Sequence, residues 1–270
     1  MTGAGWKPAT TVESALDDGA SISSELRGAL SEQYRIVRSI ATGGSATVFL
    51  ARDLRHDRDV AIKVLYRHIS SAVGAERFIR EIRTAAQLMH PHILPLHDSG
   101  EVGGCIFYVM PFVEGGTLRE WIARAAPFPV SVALNIAREV GDALAYAHAH
   151  GVIHRDAKPE NILVVSGDHV AVADFGVART FEHSQDGKLT SEGVALGTPL
   201  YMSPEQADGS AHADERSDIY SLACVVFEML TGAPPFEAMT AMAILQKHVS
   251  APAPSARERR SEERRVGKEC

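Results

Sequence analysis

The chain has 270 residues, of which 45% are hydrophobic, and its formal net charge is −7. This length and apolar content are enough for a sizeable core, in one large domain or in two lobes, and they exclude a disordered protein. The acidic balance argues against general nucleic-acid binding, because it implies no dominant basic surface.

The chain begins with a polar leader and continues with strands. Residues 1–33 are rich in Ala, Gly, Ser and Thr, which predicts a flexible leader with a short helix near 24–30. From Tyr34 the sequence becomes YRIVRSIA, TVFLARDL and DVAIKVLY, three runs separated by polar turns and typical of successive strands. The predicted strands are 34–41, 47–54 and 59–66, and the predicted turns are 42–45 and 55–59.

Helical periodicity follows these strands. Residues 75–89 are predicted to form a helix, because apolar residues recur there at helical spacing. The sequence CIFYVM at 105–110 predicts another strand, and 130–150 predicts a long helix whose alanine-rich face serves packing. The residues predicted on the buried face of the first helix are Phe78, Ile82, Ala85, Ala86 and Met89.

The stretch 151–176 carries more polar chemistry than any other segment. Asp156, Lys158, Asn161 and Asp174 lie among strand-like apolar runs that would hold them on short turns. A carboxylate can accept the proton of a hydroxyl, and a lysine can neutralise a migrating phosphoryl group. An amide and a second carboxylate offer the hard oxygens that Mg²⁺ prefers. This combination suits a polyphosphate and its metal ion.

The motif HRDAKPEN, followed by DFG, resembles the catalytic loop and metal-binding turn of protein kinases. The resemblance implies that Asp156 is the catalytic base, that Lys158 steadies the phosphoryl group, and that Asn161 and Asp174 bind the metal. His154 and Arg155 have a plainer interpretation as a buried histidine and a surface arginine. The ordered set of residues favours the kinase interpretation over coincidence.

Motifs nearer the N-terminus extend the resemblance to nucleotide binding. The turn in ATGGSATV resembles a kinase glycine-rich loop, although alanines stand at its first and third glycine positions. VAIK resembles the strand that carries the lysine for the α and β phosphates, Lys63, and the following helix supplies its expected partner, Glu81. Glu81 could instead be a solvated partner of Arg77. The loop residues implied to bind nucleotide are Ala41, Thr42, Gly43, Gly44, Ser45 and Ala46.

The resemblance also implies an adenine site at a hinge between two lobes. Val48 and Ala61 would cover the adenine from above, and Leu163 would close it from below. In PFVEGG, Met110 resembles the gatekeeper, and the backbone of Phe112 and Val113 would bind the adenine edge. Thr117 replaces the acid that some kinases place near the ribose.

The polar segment after DFG resembles an activation segment that ends at GTPLYMSPEQ, with Thr198 near the base. Related bacterial kinases carry an activating phosphothreonine at the position of Thr190, and Ser191 is a second candidate. The basic residues implied to bind the phosphate are Arg155, Arg77 and Arg179. Glu192 would supply a fixed negative charge.

Asp218, in RSDIYSLACVVFEMLTG, matches the acid that ties the catalytic-loop backbone in place. It could also act as the N-cap of the following helix. The expected fold is α+β, with a small antiparallel-sheet N-lobe and a mostly helical C-lobe. The expected divisions are a leader at 1–33, an N-lobe at 34–110, a hinge at 111–116, a C-lobe at 117–256 and a tail at 257–270.

The tail is expected to be non-native. A kinase C-lobe should continue for several helices, yet the chain ends with RSEERRVGKEC, which resembles an in-frame translation of a sequencing-adapter oligonucleotide. A basic partner-binding tail is the rival interpretation. Without the last helices, Glu205 of the SPE motif would lack its arginine partner, and we expect a poorly soluble, weakly active fragment.

Lys158 and the GTP motif resemble serine/threonine kinases, and HPHILPLHDSG resembles bacterial ones. The expected function is therefore transfer of the ATP γ-phosphate to protein hydroxyls, with Mg²⁺ or Mn²⁺. The expected partners are protein substrates and a second copy for trans-autophosphorylation, with no nucleic acid. A pseudokinase-like nucleotide-binding module and a small-molecule phosphotransferase remain as alternatives.

Three scattered cysteines, Cys105, Cys224 and Cys270, are too few for a disulfide framework or a zinc site. A reducing cytoplasm is therefore the expected compartment. No apolar run approaches the length of a membrane span, although a longer parent chain could carry an anchor.

Overall fold

The computed structural model describes residues 28–67, 70, 82–175, 199–209 and 213–260. These residues form two compact units. The first contains the described residues before 76 together with His97–Phe112, and the second contains the described residues of 76–96 and those from Val113 onwards. The change of unit after Phe112 lies inside the predicted hinge.

The first unit is a five-stranded antiparallel sheet with strand order β1-β2-β3-β5-β4. The strands predicted at 34–41, 47–54, 59–66 and 105–110 are present with ends shifted by one residue or less. Strand β1 lies at one edge, and its pairing with β2 is irregular between Ile36 and Arg38 and between Ser39 and Ala41. The five strands are β1 (Tyr34–Thr42), β2 (Ala46–Asp53), β3 (Arg58–Leu65), β4 (Asp98–Val102) and β5 (Cys105–Pro111).

Strand β3 lies in the middle of this sheet, and its sequence reflects that position. Val60, Ile62 and Val64 are fully buried on one face, because side chains two residues apart on a strand point the same way. Ala61 and Lys63 therefore share the opposite face. The register fixes their neighbours, since Lys63 is opposite Val48 on β2 and Tyr108 on β5.

The second unit is mostly helical. Its core is built on one face of the long helix α2, which has small and aliphatic residues at helical spacing. Together the two units give the expected α+β fold. The helices are α1 (Leu118–Ala125), α2 (Val130–Ala149), α3 (Pro204–Ala207), α4 (Glu215–Thr231) and α5 (Ala241–Ser250). None of the helices in the described part of the chain is both long and apolar enough to cross a membrane.

A two-stranded hairpin in the second unit places the polar loop of the sequence motif. Strand β6 (Ile162–Ser166) pairs with β7 (His169–Val172), and Ile162 is opposite Val172. The segment 92–94 runs along the other side of β7, where the Val172 amide donates to the His92 carbonyl and the Leu94 amide donates to the Val172 carbonyl, each at 2.9 Å. Strand β7 is therefore held on both sides.

The segment 76–96 was predicted to belong to the N-lobe, but the structure groups its described residues with the second unit. The backbone hydrogen bonds between 92–94 and β7 explain this difference. The helix predicted to continue to Met89 ends at Ala85. Met89 is 84% exposed and Ala86 is exposed, whereas Leu88 is buried, so the predicted buried face is wrong beyond Ala85.

Two glycines set the path of the chain into α1. A Cβ on Gly115 would fall 2.1 Å from the Val164 carbonyl oxygen, so only glycine fits there. Gly116 has a φ of +74°, and its carbonyl accepts a hydrogen bond from the Val164 amide at 3.0 Å. Thr117 then caps α1 in a capping box with Glu120. The residue considered for the ribose therefore has a structural role at the start of this helix.

Residues 256–260 are helical and pack on the second unit. The Arg259 guanidinium donates to the Pro234 carbonyl at 2.9 Å and lies over the ring of Phe227. Arg260 donates to the carbonyls of Phe128 and Leu230. Residues 261–270, the rest of the predicted non-native tail, lie outside the described residues.

Candidate active site

The loop that carries Asp156 is held by one buried carboxylate. Asp218, in α4, is fully buried and accepts hydrogen bonds from the amides of His154 at 2.8 Å and Arg155 at 2.7 Å. Its third donor is the His148 ring at 2.7 Å. Asp214, and not Asp218, caps α4. The N-cap interpretation of Asp218 is therefore wrong, and its predicted contact with the loop backbone is present.

Two residues of this region have backbone conformations that side chains normally avoid. Arg155 has a φ of +67° and Asp174 has a φ of +68°. The left-handed region costs a non-glycine residue about 1–3 kcal/mol, and such residues cluster at functional sites. The Asp218 carboxylate supplies the hydrogen bond that holds Arg155 in this conformation.

His154 is fully buried, as its plainer interpretation predicted, and it connects the loop to the hairpin. Its Nδ1 accepts from the Asp156 amide at 3.2 Å, so the ring is neutral and Nε2 carries the proton. That nitrogen donates to the Ala173 carbonyl at 2.8 Å. The ring also meets Phe175 edge-on, with 4.7 Å between centroids. His154 thereby fixes the position of Asp156 relative to the residue before Asp174.

Asp156 has one carboxylate oxygen that accepts from two donors and one that meets no donor among the described residues. Oδ2 accepts from Lys158 Nζ at 2.6 Å and from Asn161 Nδ2 at 3.0 Å. Oδ1 accepts no hydrogen bond from any described residue, and the side chain is 39% exposed. The predicted trio of Asp156, Lys158 and Asn161 is therefore brought together. One oxygen is oriented by two donors, and the other can accept a proton from an incoming hydroxyl.

Asn161 and Asp174 meet the chemical requirements of a divalent-cation site. Asn161 uses Nδ2 to donate to Asp156, so its amide oxygen points the other way and meets no donor among the described residues. The Ala173 amide donates to the Asn161 carbonyl at 2.8 Å, which places Asn161 and Asp174 at the same end of the hairpin. An amide oxygen and a carboxylate are hard ligands of the kind that Mg²⁺ binds.

Five of the predicted nucleotide residues share one face of the sheet in the first unit, namely Ala41, Val48, Ala61, Lys63 and Met110. Ala41 is opposite Val48, Val48 is opposite Lys63, and Ala61 is opposite Met110. The Lys63 ammonium lies 5.8 Å from the centre of the Tyr108 ring. A lysine, small residues and an apolar gatekeeper position therefore line a single surface.

The turn between β1 and β2 leaves its backbone accessible. The Gly43 amide donates to the Ala46 carbonyl at 2.9 Å, and a Cβ on Gly44 would meet nothing within 4 Å. The turn itself therefore does not require glycine at position 44. An open turn with little side-chain bulk fits the close approach of phosphate oxygens.

The other residues predicted to contact the adenine are Phe112, Val113 and Leu163. Phe112 and Val113 directly follow β5 and are half-buried. Leu163 lies on β6, where it forms a bridge with Thr117. Glu81, Arg77, Arg179, Thr190, Ser191, Glu192 and Thr198 lie outside the described residues.

A charged network next to the catalytic loop was not predicted. Arg119, in α1, binds Glu228 at 2.6 Å and Glu160 at 2.8 Å, and it also donates to the Tyr201 hydroxyl. Burial alone would lower the pKa of Arg119, but the carboxylates of Glu228 and Glu160 raise it. The network joins α1, α4, the turn before β6 and the short helical turn Pro199–Tyr201. Its members are up to 109 residues apart, so no local pattern indicates it.

Glu205 of the SPE motif, which was expected to lack an arginine partner, is held by a serine hydroxyl. Glu205 accepts a hydrogen bond from the Ser217 hydroxyl. Burial would raise the pKa of Glu205, but the hydroxyl groups of Ser217 and Ser203 and its own backbone lower it. Ser203 caps α3, in a capping box with Gln206.

The described residues thus form an antiparallel sheet that carries Lys63 on one face, and a helical unit that carries the Asp156 loop and the hairpin between Asn161 and Asp174. Comparison with known proteins identifies the family. The model of the protein kinase domain matches residues 34–268, and the chain belongs to the protein kinase family.

Several bacterial proteins are similar to the chain. PrkC of Bacillus subtilis, a serine/threonine-protein kinase, is 41% identical over 229 residues, which are 84% of this chain and 35% of PrkC. The serine/threonine-protein kinase PknD of Mycobacterium tuberculosis is 42% identical over 82% of this chain and 33% of its own length. PknB of Mycobacterium leprae is 40% identical over 82% of this chain and 36% of its own length. The chain thus spans about a third of the length of these relatives.

Proposed function

We propose that this chain transfers the γ-phosphate of ATP to serine and threonine hydroxyls of proteins, including its own. The observation that carries this proposal is the geometry of Asp156, whose one oxygen is oriented by Lys158 and Asn161 while the other meets no donor among the described residues. The names of the relatives, all serine/threonine-protein kinases, support the acceptor class. No observation favours the nucleotide-binding module or the small-molecule phosphotransferase.

Asp156 is the general base in this proposal. The hydroxyl of the acceptor loses its proton to Asp156 Oδ1 while its oxygen bonds to the γ-phosphorus, and the bond from that phosphorus to the β–γ bridging oxygen breaks. The products are the phosphorylated protein and ADP. Lys158 holds Oδ2 in the resting state and neutralises negative charge on the transferring group.

Lys63 binds the α and β phosphates, and Glu81 orients it. Residues 41–46 cover the phosphates with their backbone, and Val48, Ala61, Met110, Phe112, Val113 and Leu163 contact the adenine. Asn161 and Asp174 hold Mg²⁺, and Mn²⁺ has the same preference for oxygen ligands. A divalent cation bound there would neutralise phosphate charge.

Phosphorylation of Thr190 or Ser191 is the proposed activating event. A phosphate adds nearly two negative charges, for which Arg155, Arg77 and Arg179 are the proposed partners. Transfer between two copies of the chain supplies this phosphate. The chain works in the cytoplasm, either alone or as part of a longer, membrane-anchored parent.

The test is an assay of phosphate transfer from radiolabelled ATP to a generic basic protein, with the parent chain and Asp156→Asn compared. Loss of a general base lowers turnover by roughly 10²- to 10⁴-fold. The ATP-dependent rise in Tm should persist in Asp156→Asn, because the substitution removes the base and leaves the nucleotide residues in place. A variant that transfers phosphate as fast as the parent would refute the assignment.

A further inference from the structure

A buried carboxylate outside the kinase motifs occupies the space between α2 and the hairpin. The side chain of Glu139 is only 1% exposed. Its Oε2 accepts from the Val170 amide at 2.9 Å, and its Oε1 contacts the His169 ring at 2.7 Å. The His92 ring lies 3.4 Å from Oε2, and the amide of Asn135 is 3.5 Å from Oε1. We refer to Glu139, His92, His169 and the Val170 amide as the Glu139 cluster.

The hydrogen bonds of the cluster keep Glu139 charged. Burial alone would raise the pKa of this carboxyl, but the Val170 amide and the His169 ring more than compensate and lower it. A buried charge is costly without hydrogen-bonding partners, and an apolar residue of similar size at such a position often gives equal or greater stability. A charged glutamate at this position therefore indicates a requirement for one particular arrangement of its partners.

The Glu139 cluster joins three separate pieces of the second unit. Glu139 belongs to α2, His169 and Val170 begin β7, and His92 begins the segment that pairs with the other side of β7. His92 also contacts the Val170 carbonyl at 2.9 Å through its ring. The amide of Val170 is therefore fixed by Glu139, and its carbonyl is fixed by His92.

Strand β7 transmits this position to the metal ligands. At the far end of the strand, the Ala173 amide donates to the Asn161 carbonyl at 2.8 Å, and Asp174 follows directly. An extended strand rises about 3.3 Å per residue, so Val170 and Val172 are roughly 7 Å apart, and Ala173 and Asp174 follow the end of the strand directly. A shift of β7 along its axis would change the spacing of Asn161 and Asp174.

We infer that Glu139 is a positioning residue that fixes the spacing of the two Mg²⁺ ligands, Asn161 and Asp174, by holding the start of β7 against α2. This inference rests on the proposed function for the identity of the metal site. The residue touches neither substrate nor metal and acts through β7.

The test compares four variants of the full chain with the parent. Glu139→Leu removes the acceptor, whereas Glu139→Gln keeps an acceptor for the Val170 amide. Thr231→Val is a stability control, because Thr231 is buried at the end of α4 and its hydroxyl bonds to the backbone of Phe227 and Ala233. His92→Phe removes the contact of the His92 ring with the Val170 carbonyl but keeps a ring of similar shape. It replaces Glu139→Leu in the test if that variant does not fold.

Two measurements are made on each variant. The first is hydrogen exchange of residues 171–175 without nucleotide or metal, which we expect to accelerate in Glu139→Leu and to stay near the parent rate in Thr231→Val. The second is the Mg²⁺ concentration that gives half of the ATP-dependent rise in Tm. Loss of a residue that orients metal ligands typically weakens metal affinity 10- to 100-fold, so we expect roughly a tenfold increase for Glu139→Leu, largely restored in Glu139→Gln.

Equal exchange in Glu139→Leu and the parent would overturn the inference, as would an equal rise in Mg²⁺ requirement in Thr231→Val. If the parent itself showed no Mg²⁺-dependent response to ATP, the proposed function would fail. The exchange measurement would still decide whether Glu139 positions β7. For His92→Phe we expect faster hydrogen exchange and a higher Mg²⁺ requirement than in the parent, with both changes smaller than in Glu139→Leu. If both quantities in His92→Phe equalled those of the parent, the role of the cluster would be contradicted.

Discussion

Asp218→Asn should destabilise the second unit by about 2–4 kcal/mol. The carboxylate accepts from three donors, two of them at Oδ2 and the Arg155 amide at Oδ1. An asparagine keeps at most two of these hydrogen bonds, and it does so only if its Nδ2 takes the place of Oδ1. Two donors, Nδ2 and the Arg155 amide, would then face each other. A hydrogen bond to a charged group contributes about 1.5–3 kcal/mol, and the two bonds that remain lose their charge assistance.

The assay is urea unfolding followed by far-UV circular dichroism, with Asp214→Asn as the matched control. Asp214 carries the same side chain four residues earlier, is only half-buried, and caps α4 by accepting from the Arg216 amide at 2.9 Å. Asparagine caps a helix as well as aspartate does, so the control should change stability by less than about 0.5 kcal/mol. An Asp218→Asn protein as stable as the Asp214→Asn protein would refute this account of the loop.

Two further predictions concern stability. Burial alone would raise the pKa of Asp53, but hydrogen bonds from His56 and Arg58 outweigh it and lower the pKa to about 2. Because this folded-state pKa lies below the unfolded value, the Asp53 carboxylate contributes fully to the free energy of unfolding above pH ~4. That contribution is lost as the pH falls towards 2. Asp53→Asn should therefore lower the free energy of unfolding in urea by about 2 kcal/mol at pH 7. The difference in this free energy between the variant and the parent should shrink between pH 4 and pH 2, and a difference that does not change with pH would contradict the prediction. Gly115→Ala should lower Tm by several degrees, because its Cβ would overlap the Val164 carbonyl oxygen. Gly44→Ala, with open space around the added methyl, should leave Tm near the parent value, and equal Tm values for the two alanine variants would contradict the steric argument.

Four of the five strands of the first unit, all except β4, could be predicted because their signals are local. Polar turns separate apolar runs around β2, and each predicted end lies within one residue of the observed one. The helix predicted to reach Met89 failed at its end, where Leu88 rather than Met89 is buried. The period of apolar residues continues past Ala85, but the chain leaves the helix there and pairs with β7 a few residues later. That pairing is a tertiary effect, which no sequence window contains.

The residues proposed for catalysis could be predicted because the motif fixes their order. Asp156, Lys158 and Asn161 are within five residues of one another, and the structure brings them into hydrogen-bonding contact. The cap formed by Thr117 had a readable signal, Thr followed three residues later by Glu120. The Arg119 network had none, because its partners come together only through packing of distant elements.

The irregular pairing of β1 has a consequence for how this protein behaves in concentrated solution. An edge strand with a straight row of free backbone groups is a template for another chain, and aggregation often begins there. In β1 the two shifts of register bend the strand away from a regular ladder. Arg35 and Arg38 are exposed along it, so a second strand would meet repelling charge when two copies align. The exposed side chain of Val37 offers an apolar contact. Because β1 lacks a regular ladder, however, an approaching strand could form few backbone hydrogen bonds with it.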